Sequence, residues 1–349
     1  MSIRVDVFDD FHVHGASAPE WNQRYAQLSP GTMRSTLTEA TSGGVHLFRK
    51  WMSQRVVQQG HLPVGQICFA LLNGRATGES RMQGHELRED LLFLLRSGEE
   101  FTIQRANGME LLAFTCQAED FLRLLDERPW PQQARALLSR QAVRVPAGAL
   151  QPMRQQIFSV LGQPLPRHSA SLAFDRDQSV LPGLFESLRA LFEHASGVRE
   201  TLSSASASFI VAECHRIVAA SDDTPPDIEA LCQRLRASRR SLQNSFRQIA
   251  DTTPVHYLRG LRLNLVRKRL MSTRQAQLSV SQAAADQGFV QLSHFTERYK
   301  ALFGELPSQT LRAIEVSEHA PIPDGTEGPS RTTAIDGHKA TVKAGEVCL

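Results

Sequence analysis

The chain has 349 residues, of which 41% are hydrophobic and 21% charged, and its formal net charge is +3. That length suits two or three domains, each able to bury its own core, and the composition is that of an ordinary soluble globular protein rather than a disordered or fibrous one. No apolar run approaches the ~20 residues of a bilayer-spanning helix, the acidic N-terminus lacks a signal-peptide pattern, and the five scattered cysteines have no C-x-x-C spacing, so no membrane, disulfide framework or zinc site is expected and a reducing cytoplasm is.

In chain order, residues from about 43 to 116 are predicted to be β structure. An apolar run from Val64 to Leu72 is closed by Asn73-Gly74, and three further short strands are predicted at Leu91–Leu95, Phe101–Arg105 and Met109–Thr115. Ser97-Gly98 and Asn107-Gly108 lie between them. Asn-Gly tolerates positive φ at both central turn positions, which predicts a tight hairpin. The pattern suits a small β-barrel or sandwich, a fold that can enclose a ligand. Helices are predicted near 118–126, 132–142, 150–162 and 179–195. The last carries Leu181, Leu184, Phe185, Leu188, Leu191 and Phe192, an apolar stripe at helical spacing. Two readings of that stripe stay open: packing on the chain's own β domain, or a dimer seam. A further helix is predicted from Ser203 to Ala220, with Phe209, Ile210, Ala212, Cys214, Ile217 and Val218 on its buried side. After Arg312 prolines, glycines and isolated charges predict a disordered tail.

Residues 227–312 carry one short pattern twice at a constant offset of 53 positions. Ala230 pairs with Ala283, Leu231 with Ala284, Leu235 with Gly288, Leu242 with Phe295, Phe246 with Tyr299, Ile249 with Leu302 and Pro254 with Pro307. Each copy reads as a short helix, a break, a second helix and a terminating proline, the arrangement that sets its second helix in a DNA major groove. The same segment holds fourteen Arg/Lys against six Asp/Glu, a net +8, which leaves −5 for the other 263 residues. A localised basic field draws a protein to polyanions, as an evenly neutral surface does not.

In the first copy Ser238 is placed to cap the second helix, and Leu242, Phe246 and Ile249 face inward. Arg239, Arg240, Ser241, Gln243, Asn244 and Arg247 are thereby turned outward. Arg can address guanine O6/N7 bidentately, and Gln or Asn can address adenine N6/N7. In the second copy Ser279 caps a helix with Val280, Ala283 and Ala284, and Phe295, Tyr299 and Leu302 form the inner face of the next one. Gln291, Ser293, His294, Glu297 and Lys300 are left for the groove or its walls. From Pro254 a 19-residue helix to Ser272 would span roughly 28 Å at ~1.5 Å per residue, against ~34 Å between successive faces of one major groove. Its Arg259, Arg262, Arg267, Lys268 and Arg269 are either phosphate contacts or an ordinary solvated face.

Ser238-Arg-Arg-Ser-Leu-Gln-Asn-Ser-Phe, Arg262-Leu-Asn-Leu-Val-Arg-Lys-Arg-Leu and Gly288-Phe…Ser293-His-Phe-Thr-Glu-Arg-Tyr-Lys…Phe303-Gly…Pro307-Ser resemble the AraC/XylS family of bacterial transcriptional regulators, over about 208–312. Within the family the chain looks most like regulators of the ethanolamine-utilisation type. The resemblance implies that the positions of Arg240, Gln243, Asn244, Ser293, His294 and Glu297 approach bases. It also implies a cupin-like N-terminal sensor, dimerising helices and contact with RNA polymerase. Two departures stand out: Asp251 occupies a position where the family usually has Gly, and Val290-Gln291 replaces a polar capping pair, which predicts a weakly capped second recognition helix.

His12-Val13-His14 has no matching Glu and later His, so no metal is expected there, and no P-loop, dinucleotide fingerprint or nucleophile elbow appears. The reading is therefore a non-enzyme of α+β class without cofactor. Its predicted parts are a cupin-like sensor over 1–128, a helical linker and dimerisation region over 129–200, a double helix-turn-helix domain over 201–312, and a tail over 313–349. The expected partners are double-stranded promoter DNA, a small-molecule effector, RNA polymerase and a second copy of the chain. The alternative is a ligand-gated protein whose basic half serves RNA or another polyanion.

Overall fold

Alternating burial, rather than composition alone, organises the first half of the molecule. The computed structural model describes residues 3–74, 80–127, 130–161, 181–198, 202–221, 225–274 and 277–312. Its strands are β1 (Ile3–Phe8), β2 (Arg24–Gln27), β3 (Ser35–Ser42), β4 (Val45–Met52), β5 (Val56–His61), β6 (Gln66–Asn73), β7 (Arg81–Met82), β8 (His85–Glu86), β9 (Leu91–Leu95), β10 (Glu100–Arg105), β11 (Glu110–Gln117), β12 (Ala142–Arg144) and β13 (Ser196–Gly197). One sheet runs β1-β3-β4-β11-β6-β9-β12-β13 and the other β2-β5-β10-β7-β8. In β6, Cys68, Ala70 and Leu72 face the space between the sheets while Ile67, Phe69 and Leu71 face outward, and both sets are buried. A strand covered on both faces shows a continuous apolar run instead of alternation, which is why Ile67–Leu72 carries no polar interruption.

The helices are α1 (Phe11–Ala16), α2 (Ala118–Glu127), α3 (Ala134–Leu138), α4 (Gln151–Leu161), α5 (Leu181–Glu193), α6 (Leu202–Ala219), α7 (Ile228–Leu235), α8 (Arg239–Ala250), α9 (Pro254–Ser272), α10 (Val280–Asp286) and α11 (Leu292–Phe303). The covering layer on the large sheet comes from α2–α5. Leu184, Phe185, Leu188, Leu191 and Phe192 of α5 join Phe69, Phe114, Phe121 and Ile157 in one core. The stripe from Leu184 to Phe192 is thus consumed inside the chain, and the dimer-seam reading is corrected for these residues. The described helices of 130–161 and 181–193 pack on the large sheet.

Three other expectations change. β structure begins at Ile3, forty residues earlier than the predicted start near 43, though within the expected 1–128 domain. Its first strand inverts the usual pattern: Ile3, Val5 and Val7 face solvent at 45%, 38% and 50% exposure, whereas Asp6 is buried. Asn107-Gly108 does turn the chain, with Gly108 at φ +68°, but it joins strands of opposite sheets, so no hairpin forms there. Two-residue hairpins stand instead at Gly43-Gly44, with Ser42 paired to Val45, and at Gln83-Gly84, with Met82 paired to His85. The predicted helix of 132–142 ends at Leu138, and Ala142–Arg144 leaves it to pair with β9. The expected tail lies outside the described residues.

Domains meet across a specific interface. Ala26 and Val57 of the small sheet enter the core formed by α6, α8 and α9. The Asn264 side-chain amide accepts from the Gln27 N–H (2.8 Å) and donates to the Gln27 carbonyl (2.9 Å), so it pairs with β2 as a neighbouring strand would. Both groups are buried. An Asn264→Leu variant is expected to lose roughly 1–3 kcal/mol for each of the two backbone groups left without a partner, and urea unfolding of the full chain checks this.

Candidate nucleic-acid interface

The 53-residue repeat is an architectural repeat. Shifted by that offset, α8 (Arg239–Ala250) coincides residue for residue with α11 (Leu292–Phe303). Pro254 opens α9 as Pro307 opens a 3₁₀ turn. Each recognition helix is pinned by its own core. Leu242, Phe246 and Ile249 pack with Leu231, Tyr257 and Leu261, and Phe295, Tyr299 and Leu302 pack with Ala283, Ala284, Val266 and Leu270. The linker α9 runs over the predicted 19 residues, Pro254–Ser272, and contributes to both cores.

Local capping explains where the helices begin. Asp227 accepts from the Ala230 N–H (2.8 Å), Ser238 Oγ from Ser241 (3.0 Å), Thr253 Oγ1 from His256 (3.3 Å) and Ser279 Oγ from Gln282 (3.1 Å). Gln291, at the start of α11, makes no such bond, as its substitution for a polar cap implies. At the other end of α8, Asp251 takes the left-handed conformation (φ 43°, ψ 42°) and sends its N–H to the Phe246 carbonyl, the geometry that glycine normally serves.

The predicted outward residues are outward. Arg239, Arg240, Gln243, Asn244 and Arg247 are exposed on α8, and Ser293, His294, Glu297 and Lys300 are exposed on α11, with Gln291 just before it. Ser241 differs. It is half-buried, its N–H goes to Ser238 and its carbonyl accepts from Ser245 Oγ (2.9 Å), so it belongs to the cap more than to the open face. Arg239 lies 3.9 Å from Glu229, an exposed pair that costs little to break.

The linker cations separate into two kinds. Arg267 is nearly buried and bridges Asp10 of the β domain (2.7 Å) and Glu305 (2.6 Å), with its guanidinium over the Phe303 ring. Arg262 donates to the Pro226 carbonyl (2.8 Å), and Arg269 pairs with Asp286 (2.6 Å). These three hold the protein together, which corrects their reading as phosphate contacts or a solvated face. Lys268 is exposed, and Arg259 pairs with no carboxylate among the described residues. Burial and the nearby Arg298 guanidinium hold Arg259 below its ordinary value. Two like charges with no acid between them suit a phosphate.

Sequence reading passed over Val290 and Leu292, which flank Gln291 and are 93% and 45% exposed. A valine so open immediately before a recognition helix was legible as the residue standing where a cap is usual. Apolar groups at such a place match thymine methyls.

The β domain also holds the rear of both recognition helices. Arg55 donates to the Ala250 carbonyl at the end of α8. Gln27 Nε2 and the Gly31 N–H donate to the Leu302 carbonyl of α11 (2.6 and 3.1 Å). No group of three His, Cys, Asp or Glu side chains among the described residues is arranged to hold a metal ion. His14 is buried against Ser35.

Residues 231–313 match the family model described as a helix-turn-helix domain. The chain is 41% identical over 85 residues to the XylDLEGF operon transcriptional activator of Pseudomonas putida, which covers 24% of this chain and 26% of that protein. It is 36% identical over 102 residues to the HTH-type transcriptional regulator CdhR of Pseudomonas aeruginosa, covering 29% and 30%. The matched stretch thus spans between a quarter and a third of the length of these relatives. Among solved structures, the AraC-like transcriptional activator CuxR aligns over 75% of this chain and 94% of its own at 13% identity, with a TM-score of 0.33, too weak a superposition to add weight.

Capping yields a contrast between the two copies. Ser238→Ala is expected to destabilise the first motif by about 1 kcal/mol, whereas Gln291→Ser supplies the missing acceptor and stabilises the second by about 0.5–1 kcal/mol. Thermal unfolding of the two variants should shift in opposite directions.

Proposed function

We propose that the chain is an AraC/XylS-type transcriptional regulator by virtue of its C-terminal helix-turn-helix pair, and that it is a sequence-specific, effector-responsive regulator of promoter DNA. The observation that carries this reading is the residue-for-residue correspondence of α8 and α11, each with an exposed polar face and each rooted in its own core. Arg240, Gln243 and Asn244 read bases from α8. Ser293, His294 and Glu297, with Val290 beside them, read bases from α11. Arg239, Arg247, Lys300, Gln291, Arg259 and Lys268 grip phosphates and set register. Ser241 secures the cap. The outcome is activation, as the name of the XylDLEGF operon transcriptional activator it resembles suggests, exerted through contact with RNA polymerase.

The β domain acts as a cupin-like sensor, and α1 supports its coupling to DNA. His14 of α1 faces a cavity between the sheets, and Asp10, which caps the same helix through the His12 N–H (2.7 Å), grips Arg267 of the linker. An effector that moves α1 therefore acts on the linker helix between the two recognition helices. It shifts the balance of states only so far as it binds them differently. A homodimer forms at β1, the edge of the large sheet, where Ile3, Val5 and Val7 are exposed beside unpaired backbone groups. The protein works in the cytoplasm and is not an enzyme.

Arg240→Ala is expected to relax preference at one base pair and to cost ~1–3 kcal/mol there, while Lys268→Ala weakens all sequences alike and lowers the salt slope by about one. Binding selection from genomic fragments followed by salt titration separates these. No protected fragment under any condition would overturn the reading. Preference for an RNA hairpin over duplex DNA in competition would favour RNA service instead.

A further inference from the structure

The interior of the β domain holds charge and hydrogen-bonding capacity that the fold itself leaves unused. Lys50, 5% exposed, points into the cavity between the sheets. Its ammonium donates to Tyr25 OH (3.0 Å) and Gln23 Oε1 (3.2 Å), and a third N–H remains. Arg105 is fully buried near it, donating to the carbonyls of Lys50 and Met109, with Nε and Nη1 unpartnered. The carboxylate in the same lining is Glu39, and it is engaged by Arg4 (3.2 Å) and His46 (3.4 Å). Burial and the Arg105 guanidinium bring the Lys50 ammonium down to about 7, so its charged form is disfavoured in the empty cavity, and an anion placed beside its remaining N–H would restore that form.

Two more polar atoms complete the lining. His14 is 1% exposed, its Nδ1 bonded to Ser35 Oγ (2.6 Å) and its Nε2 unpartnered. With the serine hydroxyl donating to Nδ1, Nε2–H is left as a donor. Gln58 is 3% exposed. Its amide N–H donates to Gln23 Oε1 (2.8 Å), the same oxygen that accepts from Lys50 and Tyr25, so the Gln58 orientation is fixed and its Oε1 stands free as an acceptor. Apolar walls come from Leu37, Phe48, Met82, Phe101 and Leu111. The cavity measures about 40 Å³, room for roughly three waters at ~10–15 Å³ each. That admits a molecule of lactate's size.

We propose that this cavity binds a small hydroxylated monocarboxylate, its carboxylate on Lys50 and His14, its hydroxyl donating to Gln58 and its short carbon chain against the apolar walls. The proposal rests on the sensor reading above and names the chemical class of its effector. Isothermal titration of the full chain with racemic lactate, 2-hydroxybutyrate, propionate and propane-1,2-diol tests it. A hydroxy acid should bind, propionate should bind about tenfold more weakly for want of one buried hydrogen bond, and the diol should give no heat. Lys50→Met should abolish binding while circular dichroism stays unchanged. Should that variant fail to fold, Gln58→Ala gives a second readout, with lactate and propionate becoming equal. The proposal is overturned if neither hydroxy acid binds, if the diol binds as tightly as lactate, if the native protein treats lactate and propionate alike, or if a folded Lys50→Met variant binds undiminished. A band-shift assay run in parallel keeps the two readings apart: DNA binding without hydroxy-acid binding refutes this inference alone, and the reverse refutes the regulator.

Discussion

The double attachment of Asn264 to the Gln27 backbone is the constraint on which the arrangement of the molecule depends. It makes the linker helix an honorary neighbour of β2, and around it Arg267 ties Asp10 to Glu305 while Gln27 and Gly31 hold the end of α11. Removing one partner of a buried ion pair is far costlier than replacing both, so this cluster resists piecemeal loosening. The β domain, linker helix and α11 are thereby one mechanical unit, with α8 joined through Arg55 and the shared core of α6, α8 and α9.

Charge acquires a different meaning once its partners are known. The net +8 of residues 227–312 correctly marks a basic region, because a field at a distance depends on the sum of charges. It does not identify contacts. Arg262, Arg267 and Arg269 count fully in that sum, yet each commits at least one donor to a carbonyl or a carboxylate of the protein. Counting cations overstates the grip on phosphate, whereas their pairing distinguishes steering from binding.

How much was legible follows from the range of the interactions concerned. The C-terminal domain is governed by local signals: caps at Ser238 and Ser279, a break at Gly288, proline at Pro254 and apolar spacing within each helix. All are written within a few residues, and they placed α8, α9 and α11 accurately along with the exposed faces of Arg240, Gln243 and His294. The β domain is governed by non-local pairing. Asn107-Gly108 announces a turn but not which sheets it connects, and β1 carries its apolar residues on the solvent side, so its strand pattern points the wrong way. The stripe on α5 could have faced outward or inward, and only the large sheet beneath it decides. Nothing near Gln27 foretells Asn264, 237 positions away.

The grip on the rear of both helices has a consequence for the nucleic acid. With Ala250 and Leu302 anchored to the same β domain, the separation of the two helices is set by protein, not adjusted by it. Each base pair inserted between the half-sites turns one of them by about 34–36° about the duplex axis, since a turn takes 10–10.5 base pairs. Such a protein tolerates substitutions within its target far better than a single insertion between its halves, and the burden of accommodating any mismatch in phase falls on twisting the DNA.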